Sequence, residues 1–208
     1  MALANYSDLK TSVAAWIERD DLTNVIPDFI TAAEQMVNYG GEDFPALRCT
    51  DMQGSATIAL TNGAGAAPAD FLAATAVSTS GVGGASLELV AEDWAKNAYP
   101  NPSSGYAAFY TIVGSTITTY PYHTGSLNLT YYKMVPALSD AAPTNWLLTK
   151  APMIYLYGAL LQTAPFTGDD GRIATWGKLY TQAVRGLAHS DAVKRLSGAT
   201  TRVRFKAP

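Results

Sequence analysis

Charged residues are spread unevenly along this chain, and this feature constrains the fold more than any other. In residues 54–87 the only charged side chain is Asp70, and in residues 97–139 it is Lys133. Both stretches are rich in Thr, Tyr and Val, which favour strands, and in Gly, which favours turns. The parts of the chain outside residues 51–140 hold most of the charges and show a helical repeat of apolar residues. The sequence therefore predicts helices, then a sheet, then helices again.

The N-terminal segment predicts a helical hairpin. Apolar residues recur at the spacing of one helical face from Leu9 to Ile17, and Ser7 stands where an N-cap would accept a backbone hydrogen bond. A second helix is predicted to begin near Pro27, which suits a first turn, and to stop at Gly40.

A second pair of helices is predicted near the C-terminus. One begins near Pro152 and is apolar almost all round, which predicts burial in the centre of the fold or between subunits. The helical pattern is interrupted at residues 167–171. Apolar positions from Ile173 to Leu187 then predict a last, long helix. From Ser197 onwards the chain is basic, without an acid or a helical pattern, which predicts a mobile tail.

The middle of the chain predicts short strands. Between Ile112 and Ile117 a two-residue loop led by glycine suits a tight hairpin, and apolar residues alternate with polar ones from Leu127 to Tyr132. Other strands are predicted at residues 56–60, 72–78, 87–90, 109–113 and 116–120, and a short helix at residues 91–98.

Together these elements predict an α+β protein. An antiparallel helical bundle, formed by the N- and C-terminal helices, carries an inserted antiparallel β-rich domain. The predicted domains are residues 1–50 for the helical hairpin, 51–140 for the inserted domain, 141–196 for the C-terminal helices and 197–208 for the tail.

The composition narrows the class of protein. The 208 residues are 48% hydrophobic and 15% charged, which indicates a folded globular chain. A net charge of −3 disfavours a protein that wraps tightly around nucleic acid. The N-terminus lacks the pattern of a signal peptide, and no apolar run reaches the roughly 18 residues of a membrane span. We therefore expect a protein that is neither exported nor bound to a membrane.

Catalytic chemistry has little support in the sequence. A triad needs a supported histidine, but His123 lies in a turn-like segment and His189 on a late helix. The single cysteine, Cys49, and the separation of the two histidines disfavour a metal site, and neighbouring acids are typical of surfaces and helix ends. Such acid pairs are Asp20-Asp21, Glu42-Asp43, Glu92-Asp93 and Asp169-Asp170. We predict no catalytic residue, no metal, no cofactor and no enzymatic activity.

Two other patterns leave a binding function open. Residues 81–84 resemble a phosphate-binding loop only superficially, because the Lys-Ser/Thr ending is missing. The tyrosine-rich middle of the chain could form a platform on which sugars or bases stack, although packing within the sheet is favoured. The platform residues are Tyr106, Phe109, Tyr110, Tyr120, Tyr122, Tyr131 and Tyr132.

The two helical ends resemble a known family. Its motifs occur here as Tyr6-Ser7-Asp8-Leu9, Ile26-Pro27-Asp28-Phe29-Ile30, Pro136-Ala137-Leu138-Ser139-Asp140, Asn145-Trp146-Leu147-Leu148 and Tyr155-Leu156-Tyr157-Gly158-Ala159-Leu160. These residues resemble the head-to-tail adaptor (connector or neck) proteins of tailed bacteriophages. The run from Pro136 to Leu148 is the most specific part, and the middle of the chain agrees only in pattern.

The resemblance implies a structural virion protein at the junction of capsid and tail, made in the cytoplasm of the host bacterium. It implies a homo-oligomeric ring, expected to be dodecameric, that docks beneath the portal protein and offers a platform to the tail or the next neck protein. Genomic DNA would pass through the ring without sequence-specific binding. We expect an acidic or neutral channel face, because a strongly basic wall would hold the passing phosphates.

Two sets of residues are predicted to make contacts with partners. In the tail, basic and apolar residues alternate in a way that suits docking onto the portal. These residues are Arg202, Val203, Arg204, Phe205 and Lys206. Large aromatic side chains of the C-terminal helices are predicted at the interface between subunits, namely Trp146, Tyr155, Tyr157 and Trp176. The alternative function is a carbohydrate-binding or other tail-associated binding module, with Tyr120 and Tyr122 on its platform.

Overall fold

Two compact units make up the computed structural model, which describes residues 3–19, 21–81, 84–168 and 170–196. The first unit combines the chain up to Asp51 with the chain from Val135 onwards, and the second spans Met52–Met134. The described residues form six α-helices and two sheets, which confirms the predicted mixed α+β class. The antiparallel arrangement of the helices in a bundle stays a prediction.

The helices are α1 (Tyr6–Ile17), α2 (Ile26–Tyr39), α3 (Glu92–Ala98), α4 (Trp146–Lys150), α5 (Pro152–Thr167) and α6 (Asp170–Leu196). The strands are β1 (Gln53–Leu60), β2 (Ala64–Ala66), β3 (Phe71–Thr79), β4 (Glu88–Leu89), β5 (Phe109–Val113), β6 (Thr116–Tyr120) and β7 (Gly125–Lys133). Helix α3 and all strands belong to the second unit.

Helix α5 lies at the centre of the first unit and contacts α1, α2, α4 and α6. Its sequence is apolar almost all round, and the side chains of Ile154, Tyr155 and Leu160 have no exposed surface. A helix without a polar face is stable in water only when other elements cover it. Of the two predicted locations for this helix, the structure places it within its own unit.

The N-cap of α1 is Asn5, so the prediction of Ser7 is wrong. Asn5 Oδ1 accepts the N–H of Asp8 at 2.9 Å, and the Asn5 amide in turn donates to the Asp8 carboxylate at 3.1 Å. The N–H of Tyr6 donates to the carbonyl of Pro143 at 2.7 Å. The helix therefore begins earlier, because a distant part of the chain satisfies the first backbone donor.

In the second unit one sheet has the strand order β1-β7-β3 and the other has the order β2-β6-β5-β4. The predicted hairpin is confirmed, since Val113 pairs with Thr116 across Gly114, whose φ is +58°. Buried side chains from both sheets form one core, which includes Val77 of β3 and Ile117 of β6. The named strands pair antiparallel as predicted, except that the short β4 runs parallel to β5.

The division between the units comes earlier than the predicted residue 140. The N–H of Val135 donates to Asn38 Oδ1 at 2.9 Å, and the N–H of Leu138 donates to Glu34 Oε1 at 2.7 Å. Both acceptors lie on α2, and both side chains are buried. Residues 135–138 therefore belong to the helical unit, since their backbone donors are satisfied there rather than in a sheet.

Candidate interaction surfaces

Asn145 holds together the two motifs that carry the most specific part of the resemblance. Its amide donates to the carbonyl of Pro136 and to the hydroxyl of Tyr155, both at 2.6 Å. Its Oδ1 accepts the N–H of Leu148 at 2.8 Å and so caps α4. Asn145 thus links residues 135–138 to α4 and α5, which gives these motifs a structural role in the helical unit.

Glu34 is the acidic member of the same network. Burial raises the pKa of its carboxyl group, while hydrogen bonds from the Leu138 N–H and from the Tyr155 hydroxyl, at 3.4 Å, lower it; the net pKa lies above its usual range. The side chain is only 7% exposed. It therefore serves as an interior acceptor that fixes residues 135–138 to α2.

Two of the residues predicted at a subunit interface lie together in the structure. The ring of Tyr157 stacks on that of Trp176 with centroids 6.4 Å apart. Trp16 of α1 completes the cluster, at 6.1 Å from Tyr157 and 5.4 Å from Trp176. All three side chains are half-buried. The sequence did not predict that Trp16 joins them, because contact between distant helices leaves no local pattern.

The other two predicted interface residues differ from each other. Trp146 is half-buried, at the first position of α4. Tyr155 has no exposed surface, and its hydroxyl is bonded inside its own unit. Tyr155 therefore has no surface that a neighbouring subunit could contact. The prediction of Tyr155 at the interface is wrong, and the residue belongs to the core. The interface role of Trp146, Tyr157 and Trp176 stays a prediction.

Asp191, which is 2% exposed, connects the C-terminal half of α6 to Thr50 by hydrogen bonds. Thr50 donates its N–H to this carboxylate at 2.8 Å and its hydroxyl to the second oxygen. Burial raises the pKa of Asp191, but the bonds from Thr50 and the nearby cations outweigh it and hold the pKa below its usual value. Beside this contact Lys150 pairs with Asp51. The cluster ties α6 and α4 to the segment after α2.

One face of α6 borders an open groove of about 780 Å³, which we call the α6 groove. Its floor includes Phe44, Ile173 and Gly177, and its rim carries Lys178 and Arg185. The Phe44 ring fits against the helix because a methyl group on Gly177 would lie 2.8 Å from it. The sequence did not predict this groove, since it depends on the loop after α2 meeting a helix far along the chain.

The remaining candidates from the sequence either lie outside the described residues or form no site within them. The predicted portal-binding residues lie outside the described residues, as do parts of the glycine-rich segment 81–84. The N–H of His123 donates to the hydroxyl of Thr119 at 3.0 Å, and His189 is exposed on α6. In the part of the chain that the structure describes, no group of His, Cys, Asp and Glu is suited to hold a metal ion.

The tyrosine-rich middle of the chain forms core rather than an open platform. Tyr110, Tyr120 and Tyr131 are 5–6% exposed, so the platform hypothesis is wrong for these three. Tyr106 is 96% exposed, whereas the others of the set are half-buried. A flat stacking surface needs several exposed rings side by side, and these positions do not supply it.

One family model, that of the SU10 adaptor protein, matches residues 4–204. Since the match spans nearly the whole chain, the chain belongs to this family. This confirms the resemblance at the level of a phage adaptor protein, a structural component of the virion. A search of curated proteins finds no match.

The helices were also compared with the requirements for a membrane span. Among residues 3–19, 21–81, 84–168 and 170–196, no helix is both long and apolar enough to cross a bilayer. The longest, α6, has 27 residues but carries several charged side chains along its length.

Proposed function

We propose that this chain forms a ring beneath the portal of a tailed phage, joins the capsid to the tail and extends the channel for DNA. The observation that carries this proposal is the family match over residues 4–204. The partners are the portal protein, the tail or next neck protein, and further copies of the chain in a ring, expected to be dodecameric. The role is structural, without an enzymatic activity.

Hydrogen bonds that hold residues 135–138 support this proposal through the rigidity that they give the helical unit. Asn145, Glu34 and Asn38 satisfy backbone groups of an otherwise extended segment. Buried polar groups with all partners in place favour one arrangement of the chain over its alternatives. A rigid protomer suits an adaptor, because each copy must present the same surfaces to its neighbours.

The charge of the chain supports passage of DNA without tight binding. The net charge is −3, and residues 54–87 carry a single charged side chain, Asp70. Tight binding of a duplex depends on neutralising many phosphates with Lys and Arg. We expect an acidic or neutral face along the channel of the assembled ring, and a cationic lining would contradict this.

We also propose that the basic tail docks onto the portal. Arg202, Arg204 and Lys206 would pair with carboxylates, while Val203 and Phe205 alternate into a groove or add a strand. The support for this is the sequence pattern alone.

The test mixes the purified chain with the portal protein encoded by the same genome and determines the mass of the complex. We expect subunits to add in portal stoichiometry. Deletion of residues 197–208 should abolish binding while the circular dichroism spectrum and thermal transition stay those of the full chain. Undiminished binding after the deletion would refute the docking role of the tail. Absence of a complex between two folded proteins would refute the adaptor proposal itself.

A further inference from the structure

From Arg172 to Arg195, the exposed side of α6 carries cations and no exposed acid. Between Arg172 and Arg195 the only acid in the sequence is Asp191, and its side chain is 2% exposed. Lys178 and Arg185 are seven residues apart, two helical turns, so they lie on the same face. Within the described residues neither forms an ion pair. This face therefore attracts an acidic partner.

The same face borders the apolar floor of the α6 groove. The Phe44 ring meets the Tyr180 ring edge to face with centroids 6.0 Å apart, which holds Phe44 in place. Asp43 also lines the groove, so its border carries two cations and one carboxylate. A nucleic acid does not fit this groove well, because the Asp43 carboxylate repels phosphates and the apolar floor offers them no hydrogen bonds. The groove fits a protein segment that combines exposed apolar side chains with acids.

The tail of the chain does not have this chemistry. Residues 197–208 contain Arg202, Arg204 and Lys206 and no acid. Like charges placed opposite one another at an interface oppose binding. The occupant must therefore come from elsewhere.

The matching chemistry lies in residues 88–94 of the second unit. Leu89 is 57% exposed and Trp94 is 47% exposed, although both are large and apolar. Glu88 and Asp93 are exposed beside them. Glu92 is instead engaged with Lys96 at 2.6 Å. The segment thus presents two exposed apolar side chains, each next in sequence to an exposed carboxylate.

This segment is held in a fixed position on its own unit. Glu88 pairs with Phe109 in the sheet, and the ring of Trp94 meets that of Phe109 edge to face at 5.0 Å. Ala95, the next residue of α3, has no exposed surface. A segment that is already ordered loses little conformational entropy when it binds.

We propose that the α6 groove of one copy binds residues 88–94 of a neighbouring copy. Leu89 and Trp94 lie on the apolar floor, and Glu88 and Asp93 pair with Lys178 and Arg185. Because the two surfaces differ, each copy can bind one neighbour on either side, and such a heterologous contact closes into a ring when the rotation allows. This inference rests on the proposed function and names the contact that builds its ring.

Charge reversal tests the contact on the full chain. One variant carries Lys178→Glu and Arg185→Glu, a second carries Glu88→Lys and Asp93→Lys, and a third carries all four changes. Lys194→Glu, on α6 but outside the groove, is the matched control. The readout is the oligomer mass by analytical ultracentrifugation, alone and with the portal protein present, after circular dichroism has verified the fold.

We expect each double reversal to lower the oligomer fraction by at least about tenfold, since like charges then meet. The four-substitution chain should assemble again because its charges are exchanged, and Lys194→Glu should assemble as the wild type does. Double variants that assemble normally would overturn the inference and leave the adaptor role intact. Loss without restoration in the four-substitution chain would also overturn it, since the groove would then bind another partner. A wild-type chain that never assembles, even with the portal, would instead refute the proposed function.

Discussion

Two tyrosines of the helical unit, Tyr155 on α5 and Tyr180 on α6, are fully buried but differ at their hydroxyl groups. Tyr155 accepts a hydrogen bond from Asn145 at 2.6 Å and lies 3.4 Å from Glu34. Within the described residues the hydroxyl of Tyr180 is buried without a partner. Burial of a hydroxyl group costs free energy unless a hydrogen bond replaces the one lost to water.

This contrast predicts opposite effects of the same replacement. Tyr155→Phe should lower the free energy of unfolding by about 1 kcal/mol, because bonded partners lose a contact. Tyr180→Phe should leave it unchanged or raise it by up to about 1 kcal/mol, because an unsatisfied group is removed. Urea unfolding followed by tryptophan fluorescence measures both, and equal losses for the two variants would contradict the assignment.

Glu34 makes the stability of the helical unit depend on pH. Because burial raises its pKa above the ordinary 4.5, the folded chain holds this proton more tightly than the unfolded chain. The stability that the folded chain gains by binding this proton is therefore complete below pH 4.5. It is lost as the pH rises through the pKa that Glu34 has in the folded chain. Glu34→Gln removes this dependence while retaining an acceptor for the Leu138 N–H.

We expect the Gln variant to gain stability relative to the wild type as the pH rises from 4.5 towards neutrality. Urea unfolding at a series of pH values gives the difference directly. Glu42→Gln, on the exposed loop after α2, controls for the replacement of an acid by an amide. A Glu34→Gln difference that stays constant over this pH range would contradict the burial of a titrating carboxyl group.

Gly158 allows the close approach of helix α5 to the helices packed against it. A methyl group on Gly158 would lie 3.0 Å from the Cβ of Ala33 on α2 and 3.4 Å from the ring of Tyr180 on α6. On the exposed side of α6, a methyl group on Gly186 would meet no atom within 4 Å. The two glycines therefore allow helix packing to be separated from helix propensity.

Gly186→Ala should raise the free energy of unfolding by about 1 kcal/mol, the usual gain for alanine over glycine in a helix. Gly158→Ala receives the same gain but must displace tightly packed neighbours, so it should be less stable than Gly186→Ala by about 1–3 kcal/mol. Thermal unfolding at low protein concentration compares the variants. Equal stabilisation of both would show that α5 has room at this position.

Local patterns predicted most elements but not the contacts that decide their ends. Helical periodicity indicated α1, α2, α5 and α6, and alternation indicated β7, because these patterns span many residues. Strand β2 has only three residues, too few for alternation to show. The start of α1 depends on Pro143, which accepts the N–H of Tyr6 from far along the chain. Such contacts lie beyond any local pattern.

The family of the chain could be predicted from the sequence, whereas its interaction surfaces could not. The motifs around Asn145 indicated the adaptor family because the structure needs those side chains to hold its extended segment. The prediction of Tyr155 at an interface was wrong because a large aromatic residue suits a core and an interface equally well. The α6 groove needed the structure, since Phe44 and Gly177 are far apart in sequence.

An electron-microscopy structure of the chain in complex with the portal protein of the same genome would test the proposed adaptor ring. We expect a ring of adaptor subunits, coaxial with the portal and continuous with its channel, with a neutral or acidic inner face. Two separate, correctly folded proteins under conditions where the portal is assembled would contradict it. So would adaptor subunits attached to the side of the portal, away from its channel.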